Sequence, residues 1–170
     1  DPEQDAQVQA PTENVPKDDR EEESAVTPSD DTEENTISFI IPCDGIVVKD
    51  YSGSTPVFSE TLQDWRVHHG IDLQTKDAAN VFAAADGTVD DVYTDELMGV
   101  SILIKHSEGV YTLYQGLNPN TKVLQRMEVK QGDIIGKTGT TAIEEETEGC
   151  HLHFEMIIDG KHADPNEYLS

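Results

Sequence analysis

The chain has 170 residues, and 35 Asp and Glu against 11 Lys and Arg give a formal net charge of −24. That balance excludes nucleic acid as a partner, because phosphate binding needs clustered Lys and Arg. It also argues against simple electrostatic attraction to anionic membranes or wall polymers.

The composition divides the chain. Residues 1–36 hold thirteen acidic residues against Lys17 and Arg20, several prolines and no aromatic residue. Such a stretch cannot bury enough apolar surface to offset its ordering entropy, so it is predicted to be a disordered acidic tether. Residues 37–170 are then the folded domain. No stretch reads as a membrane span or a signal peptide. A tether beginning at Asp1 suits a domain held away from a membrane anchor further upstream.

From residue 36 onward the pattern is β. An apolar, β-branched run at 37–41 ends at Pro42, and a second short strand is expected over 45–48. Residues 81–85 lead into Asp86-Gly87, and 88–93 resume the apolar run, which predicts a hairpin. A strand over 100–106 turns at Glu108-Gly109 into another over 110–114. Asn118-Pro119-Asn120 is a loop. Residues 129–136 form a strand with Gly132-Asp133 as its turn. Residues 138–149 carry four glutamates and no apolar run, as an exposed loop would. The last long strand, 151–158, turns at Asp159-Gly160, and 166–169 is a short helical candidate. Short, evenly spaced strands with Gly-containing turns predict an all-β fold, sandwich or barrel-like.

Four of the six histidines fall in two stretches, His68-His69-Gly70-Ile71-Asp72 and His151-Leu152-His153-Phe154-Glu155. Along a strand, residues i and i+2 face the same way. His151 and His153 therefore share one face, while Leu152 and Phe154 take the other. A spacing of four with Gly70 between lets His68 and Asp72 meet on one side of a tight loop or strand; His69 competes for the ligand role. Two imidazoles and a carboxylate give zinc three protein ligands and an open position, the arrangement of a catalytic site. Cys43 and Cys150 read as small residues filling loops, with a single bridge between them as the alternative.

The order of motifs resembles a known family. His68-x-Gly70-x-Asp72 is followed by Val81-x-Ala83-x-x-x-Gly87-x-Val89. Val129-x-x-Gly132-Asp133-x-Ile135-Gly136-x-x-Gly139 comes next, and then His151-Leu152-His153-Phe154-Glu155. Together they resemble the lysostaphin/LytM-type zinc metallopeptidases. That resemblance implies antiparallel sheets of the duplicated hybrid motif type and a narrow groove. It implies Zn2+ held by His68, Asp72 and His153, with His151 assisting catalysis as base or oxyanion stabiliser. It also implies peptidoglycan peptides as substrates. One position departs. Where active members have a second catalytic histidine in Tyr-Ala-His-Leu, this chain reads Tyr114-Gln115-Gly116-Leu117. Whether it is an enzyme is therefore left open by its own residues.

The acidic tether and that altered stretch resemble a sporulation subgroup of the family. These are membrane-anchored, extracytoplasmic domains on the forespore side that act in engulfment. They pair with stage III sporulation protein AH of the mother cell across the intermembrane space. The resemblance thus implies a zinc-bearing, partner-binding domain of weak or absent peptidase activity, with an active cross-link endopeptidase as the alternative. A lipoyl- or biotinyl-type carrier, suggested by the Gly-rich hairpins, is set aside. Gln125-Arg126-Met127-Glu128 supplies no lysine at the hairpin tip.

Overall fold

The computed structural model describes residues 36–142 and 149–170. The expected tether lies outside them except for Thr36, as do residues 143–148 of the predicted acidic loop. The chain forms β1 (Ile46–Lys49), β2 (Val57–Ser59), β3 (Asp64–Arg66), β4 (Ile71–Gln74), β5 (Asn80–Phe82) and β6 (Gly87–Asp95). It continues with β7 (Gly99–Ser107), β8 (Val110–Leu117), β9 (Glu128–Val129), β10 (Ile134–Lys137), β11 (His151–Ile158) and β12 (Lys161–Ala163). The main sheet runs β1-β4-β11-β8-β7-β6-β9, with β12 also paired to β11; β10–β5 and β2–β3 are separate two-stranded ladders. Every strand pair is antiparallel, so the all-β expectation holds.

Period-2 alternation sorts the main sheet into two faces. Ile71 and Leu73 of β4, Leu152, Phe154 and Met156 of β11, Tyr114 of β8, and Ile102 and Ile104 of β7 are all buried in one core. Val81, Ala83, Ala84, Ala85 and Ile135 cover that face. The Ala84 N–H donates to the Tyr114 hydroxyl at 2.9 Å, which satisfies a polar group that would otherwise be costly to bury. The opposite face of β4 and β11 carries Asp72, His151, His153 and Glu155.

Four local expectations are corrected. Residues 37–41 form no strand; Phe39 alone makes a parallel bridge, to Leu169, and lies buried edge-on against His106. An apolar β-branched run reads the same whether it joins a ladder or lies over a core. The Asp86-Gly87 pair closes no hairpin, because β5 pairs with β10 and β6 with β7. Gly87 serves close approach instead: a Cβ there would sit 2.5 Å from the Lys105 carbonyl oxygen. Residues 129–136 divide between β9, paired with β6, and β10, paired with β5. The helical candidate is one 3-10 turn, Pro165–Glu167, whose first turn is capped by the Asp164 carboxylate accepting from the Asn166 N–H.

The β2–β3 hairpin was not anticipated. Its strands are three residues each, and its turn uses Gln63 at φ 56° rather than an Asn-Gly or Asp-Gly pair. Both cysteines are free thiols. Burial, with Asp44 nearby, pushes the Cys43 thiol up to about 12.

Candidate metal centre

The site is built on the β4–β11 pairing. Its register sets Asp72 directly opposite His153, with Leu73 opposite Leu152 and Ile71 opposite Phe154. The apolar partners anchor the pair in the core while the polar ones meet above it. His68 arrives from the loop before β4. Gly70 is required there for closeness rather than for backbone freedom, since a Cβ would collide with the Phe154 carbonyl.

His68, Asp72 and His153 are each buried and converge. His68 Nε2 lies 3.1 Å from Asp72 Oδ1 and 3.2 Å from His153 Nδ1. His153 Nδ1 lies 2.7 Å from Asp72 Oδ1. Partners on the far nitrogens decide the tautomers. His68 Nδ1 is 2.8 Å from the Asp50 carbonyl oxygen, which can only accept. His153 Nε2 is 3.0 Å from Glu155 Oε1. With protons placed on those two nitrogens, His68 Nε2 and His153 Nδ1 face each other as lone pairs beside a carboxylate. Three electron-pair donors aimed at one point fit a divalent cation.

His162 Nδ1 lies 3.0 Å from Glu155 Oε2, a proximity without hydrogen-bond geometry. Burial pushes the Glu155 carboxyl up, but the His153 hydrogen bond and the neighbouring His153, His162 and His69 bring it below its ordinary value. It therefore stays an acceptor for the His153 N–H, the outer support that orients a ligating imidazole. Lys49, opposite Asp72 in the β1–β4 register, places Nζ 3.7 Å from Asp72 Oδ2.

His69 takes no part in the triad. Its ring stacks on His162 with centroids 4.1 Å apart, and burial, then the nearby His162, lowers its pKa. His151 is buried on the triad's face of β11. Its Nδ1 lies 2.9 Å from the Gly149 carbonyl oxygen, so Nδ1 donates, and in the neutral imidazole Nε2 is the acceptor. Gly116 sits beside it: a Cβ at 116 would be 3.9 Å from His151 Nε2. His106 belongs to the other face, between the Asp86 carbonyl and Thr112 Oγ1, both at 2.7 Å. A cleft of about 410 Å3 opens over the triad between Lys49, Arg66, His69 and Met98. Sequence reasoning gave no role to Glu155, His162 or the Asp50 carbonyl. Glu155 could have been found, since it follows His153 by two and alternation puts both on one face.

A sheet pair presenting His-x-x-x-Asp against His-x-His over an apolar floor defines a class of metallopeptidase-like domain. Residues 66–165 match the model of Peptidase family M23, and the chain belongs to that family. It is 36% identical over 102 residues to stage II sporulation protein Q of Bacillus subtilis (strain 168), covering 59% of this chain and 35% of that protein. The chain thus spans about a third of that relative's length. A solved SpoIIQ–SpoIIIAH pore forming complex is similar at a TM-score of 0.70 and 26% identity, over 80% of this chain and 93% of that one. A zinc containing peptidase from Vibrio cholerae is similar at a TM-score of 0.65 and 25% identity, over 75% of this chain and 39% of that one.

Proposed function

We propose that the domain holds one zinc ion through His68 Nε2, an Asp72 carboxylate oxygen and His153 Nδ1, and that it works mainly by binding a partner protein. The observation that carries the metal reading is the pair of imidazole nitrogens 3.2 Å apart beside Asp72, each ring's other nitrogen facing an oxygen acceptor. Two nitrogens and one hard oxygen suit zinc with a position left open. Zinc supplies Lewis acidity there, acidifying a bound water and polarising a carbonyl. Bound by these three residues, it would also join the His68 loop to β4 and β11 and stabilise the face that a partner would meet.

Within the cleft, His151 presents Nε2 as a proton acceptor, fixed in orientation by Gly149. Gly116 has no side chain to give a second hydrogen bond to a developing oxyanion. Loss of one such donor costs on the order of 10²–10³ in rate. Hydrolysis is therefore weak or absent, and likeness to stage II sporulation protein Q supports stage III sporulation protein AH as the partner. In that setting the domain is extracytoplasmic, anchored in the forespore membrane and facing the intermembrane space during engulfment. No helix among the described residues is long and apolar enough to cross a membrane.

A second reading, an active zinc endopeptidase on peptidoglycan cross-links, is favoured by the ordered His151. One experiment separates the two. Zinc per chain is measured for the wild type and His68→Ala, and both are incubated with purified peptidoglycan and, separately, with the partner ectodomain. The proposal expects one zinc in the wild type, none in His68→Ala, partner binding weakened with the metal, and little fragment release. A metal-free wild type overturns the metal reading. Rapid release of muropeptides overturns the claim of impaired activity.

A further inference from the structure

Lys49 reaches the metal triad through an irregularity in the edge strand. In the β1–β4 register Val47 stands opposite Leu73 and Lys49 opposite Asp72, so Val48 is one residue too many. A β-bulge of this kind re-aims the side chain beside it. In a regular ladder Val48 would stand opposite Asp72, and Lys49 would fall opposite Ile71, whose side chain belongs to the core. The extra residue therefore turns an ammonium, rather than an isopropyl group, onto the face of the triad. Its Nζ comes to 3.7 Å from Asp72 Oδ2, and Lys49 lines the cleft.

The other charges around the triad are balanced elsewhere or negative. Arg66 Nε and Nη2 donate to the two carboxylate oxygens of Asp64 at 2.7 and 3.0 Å. Glu155 adds a second carboxylate, turned to His153 Nε2. The tautomers that the Asp50 carbonyl and Glu155 select turn acceptors towards Asp72, so neither imidazole supplies a positive charge. The Asp72 side chain is fully buried, and a buried carboxylate without a counter-charge is costly. Lys49, its own side chain 25% exposed, supplies that charge.

Distance decides what kind of support this is. At 3.7 Å the ammonium lies beyond hydrogen-bond range of Asp72 Oδ2, so it gives charge without direction. A donor in contact with a ligating carboxylate would orient it and strengthen a metal site. A cation that only neutralises the carboxylate does the reverse, because it competes with a dication for the same negative charge.

We propose that Lys49 is the internal counter-ion of the metal triad: its ammonium balances Asp72 when no metal is bound, and weakens the hold on zinc when it is. The proposal rests on the triad being a zinc site, and it names the residue that sets the affinity of that site. The domain then folds around Asp72 and Lys49 without metal, and its zinc exchanges rather than serving as folding energy.

The test compares wild type, Lys49→Met and Lys49→Arg as full chains, stripped with EDTA and dialysed. Each is titrated with zinc against a chromophoric chelator, and metal-free melting curves are recorded. Removing a neighbouring unit charge predicts about tenfold tighter zinc in Lys49→Met, which is near in length and uncharged. Lys49→Arg keeps the charge and stays within about twofold of the wild type. Metal-free Lys49→Met melts roughly 3–10 °C lower, because Asp72 loses its counter-charge. Lost packing also lowers melting but does not tighten zinc, so the tighter site is the readout that a merely structural role would not give. Zinc affinity unchanged or weaker in Lys49→Met overturns the proposal. Lys49→Gln repeats the measurement should the Met variant fail to fold. If no variant takes up zinc, the metal reading falls. The counter-ion role then stands if metal-free Lys49→Met, and not Lys49→Arg, loses stability, and is overturned if all melt alike.

Discussion

Replacing Gly116 with histidine tests whether one missing imidazole separates holding a metal from using it. The space is there: a Cβ at 116 would meet the His151 carbonyl oxygen at 3.6 Å, Ala142 Cβ at 3.7 Å and His151 Nε2 at 3.9 Å, all ordinary contacts. The backbone is the obstacle. Gly116 has φ 75°, a conformation that costs an L side chain about 1–2 kcal/mol. Its N–H donates to the Met98 carbonyl at 2.9 Å and its carbonyl accepts from the Gly139 N–H at 3.0 Å, so the strand end is held in that conformation from both sides. For a domain of this size the strain lowers Tm by roughly 3–10 °C. Gly116→Ala carries the same strain without an imidazole and serves as the control. Restoring a donor to the transition state predicts a gain on the order of 10²–10³ in hydrolysis. The assay is muropeptide release from purified peptidoglycan by zinc-loaded wild type, Gly116→Ala and Gly116→His, with melting curves for each. A Gly116→His protein that folds, carries zinc and hydrolyses no faster than Gly116→Ala would refute the reasoning.

Three further outcomes follow from named contacts. Glu155→Ala removes the acceptor of the His153 Nε2 proton; competition with a chromophoric chelator should show zinc affinity weaker by about 10–100-fold, with Glu155→Gln recovering part of it through its amide oxygen. His106 has a pKa lowered by burial, so the unfolded chain binds its proton first; the stability this residue confers is present above about pH 6.5 and is lost as pH falls through the folded value. Urea unfolding of wild type and His106→Gln should therefore converge towards acid pH, and a difference that grows as pH falls would contradict it. Cys43 is buried with its thiol pushed up to about 12, whereas Cys150 is half-buried; iodoacetamide at pH 8 should add once per native chain, at Cys150, as read by peptide mass mapping.

The face-sharing of His151 and His153 was legible because strand alternation is local: only the strand itself needs to be recognised. The pairing of that strand with residues 71–74 was not, because antiparallel register is fixed by the core on the other side. There Leu152 meets Leu73 and Phe154 meets Ile71. The choice between His68 and His69 has the same origin. Spacing admits both, and only the fold brings the Asp50 carbonyl to His68 and a stacking ring to His69. Asp86-Gly87 misled because glycine has two uses. The hairpin rule rests on positive φ, whereas Gly87 is set by its approach to the Lys105 carbonyl. Residues 37–41 misled because of this run only Phe39 is buried and bridged, while Ile41 is exposed, so the apolar pattern reflects neither a ladder nor a common buried face.

The proposed separation of metal binding from turnover rests on more than a single substitution. The three donor residues lie on β4, β11 and the loop before β4. They are oriented from outside the cleft by the Asp50 carbonyl and Glu155. Position 116 lies at the end of β8, where its own hydrogen bonds run to Met98 and Gly139 and its missing side chain points at His151. No contact among these residues makes the triad depend on a side chain at 116. Effects at sites without shared partners add rather than couple. The strand end can therefore hold Gly116 in a left-handed conformation that favours glycine while the donor triad stays in place. At φ 75° a histidine at 116 carries a strain that glycine does not. The position is thus held at glycine by backbone geometry as well as by whatever the domain is selected to do.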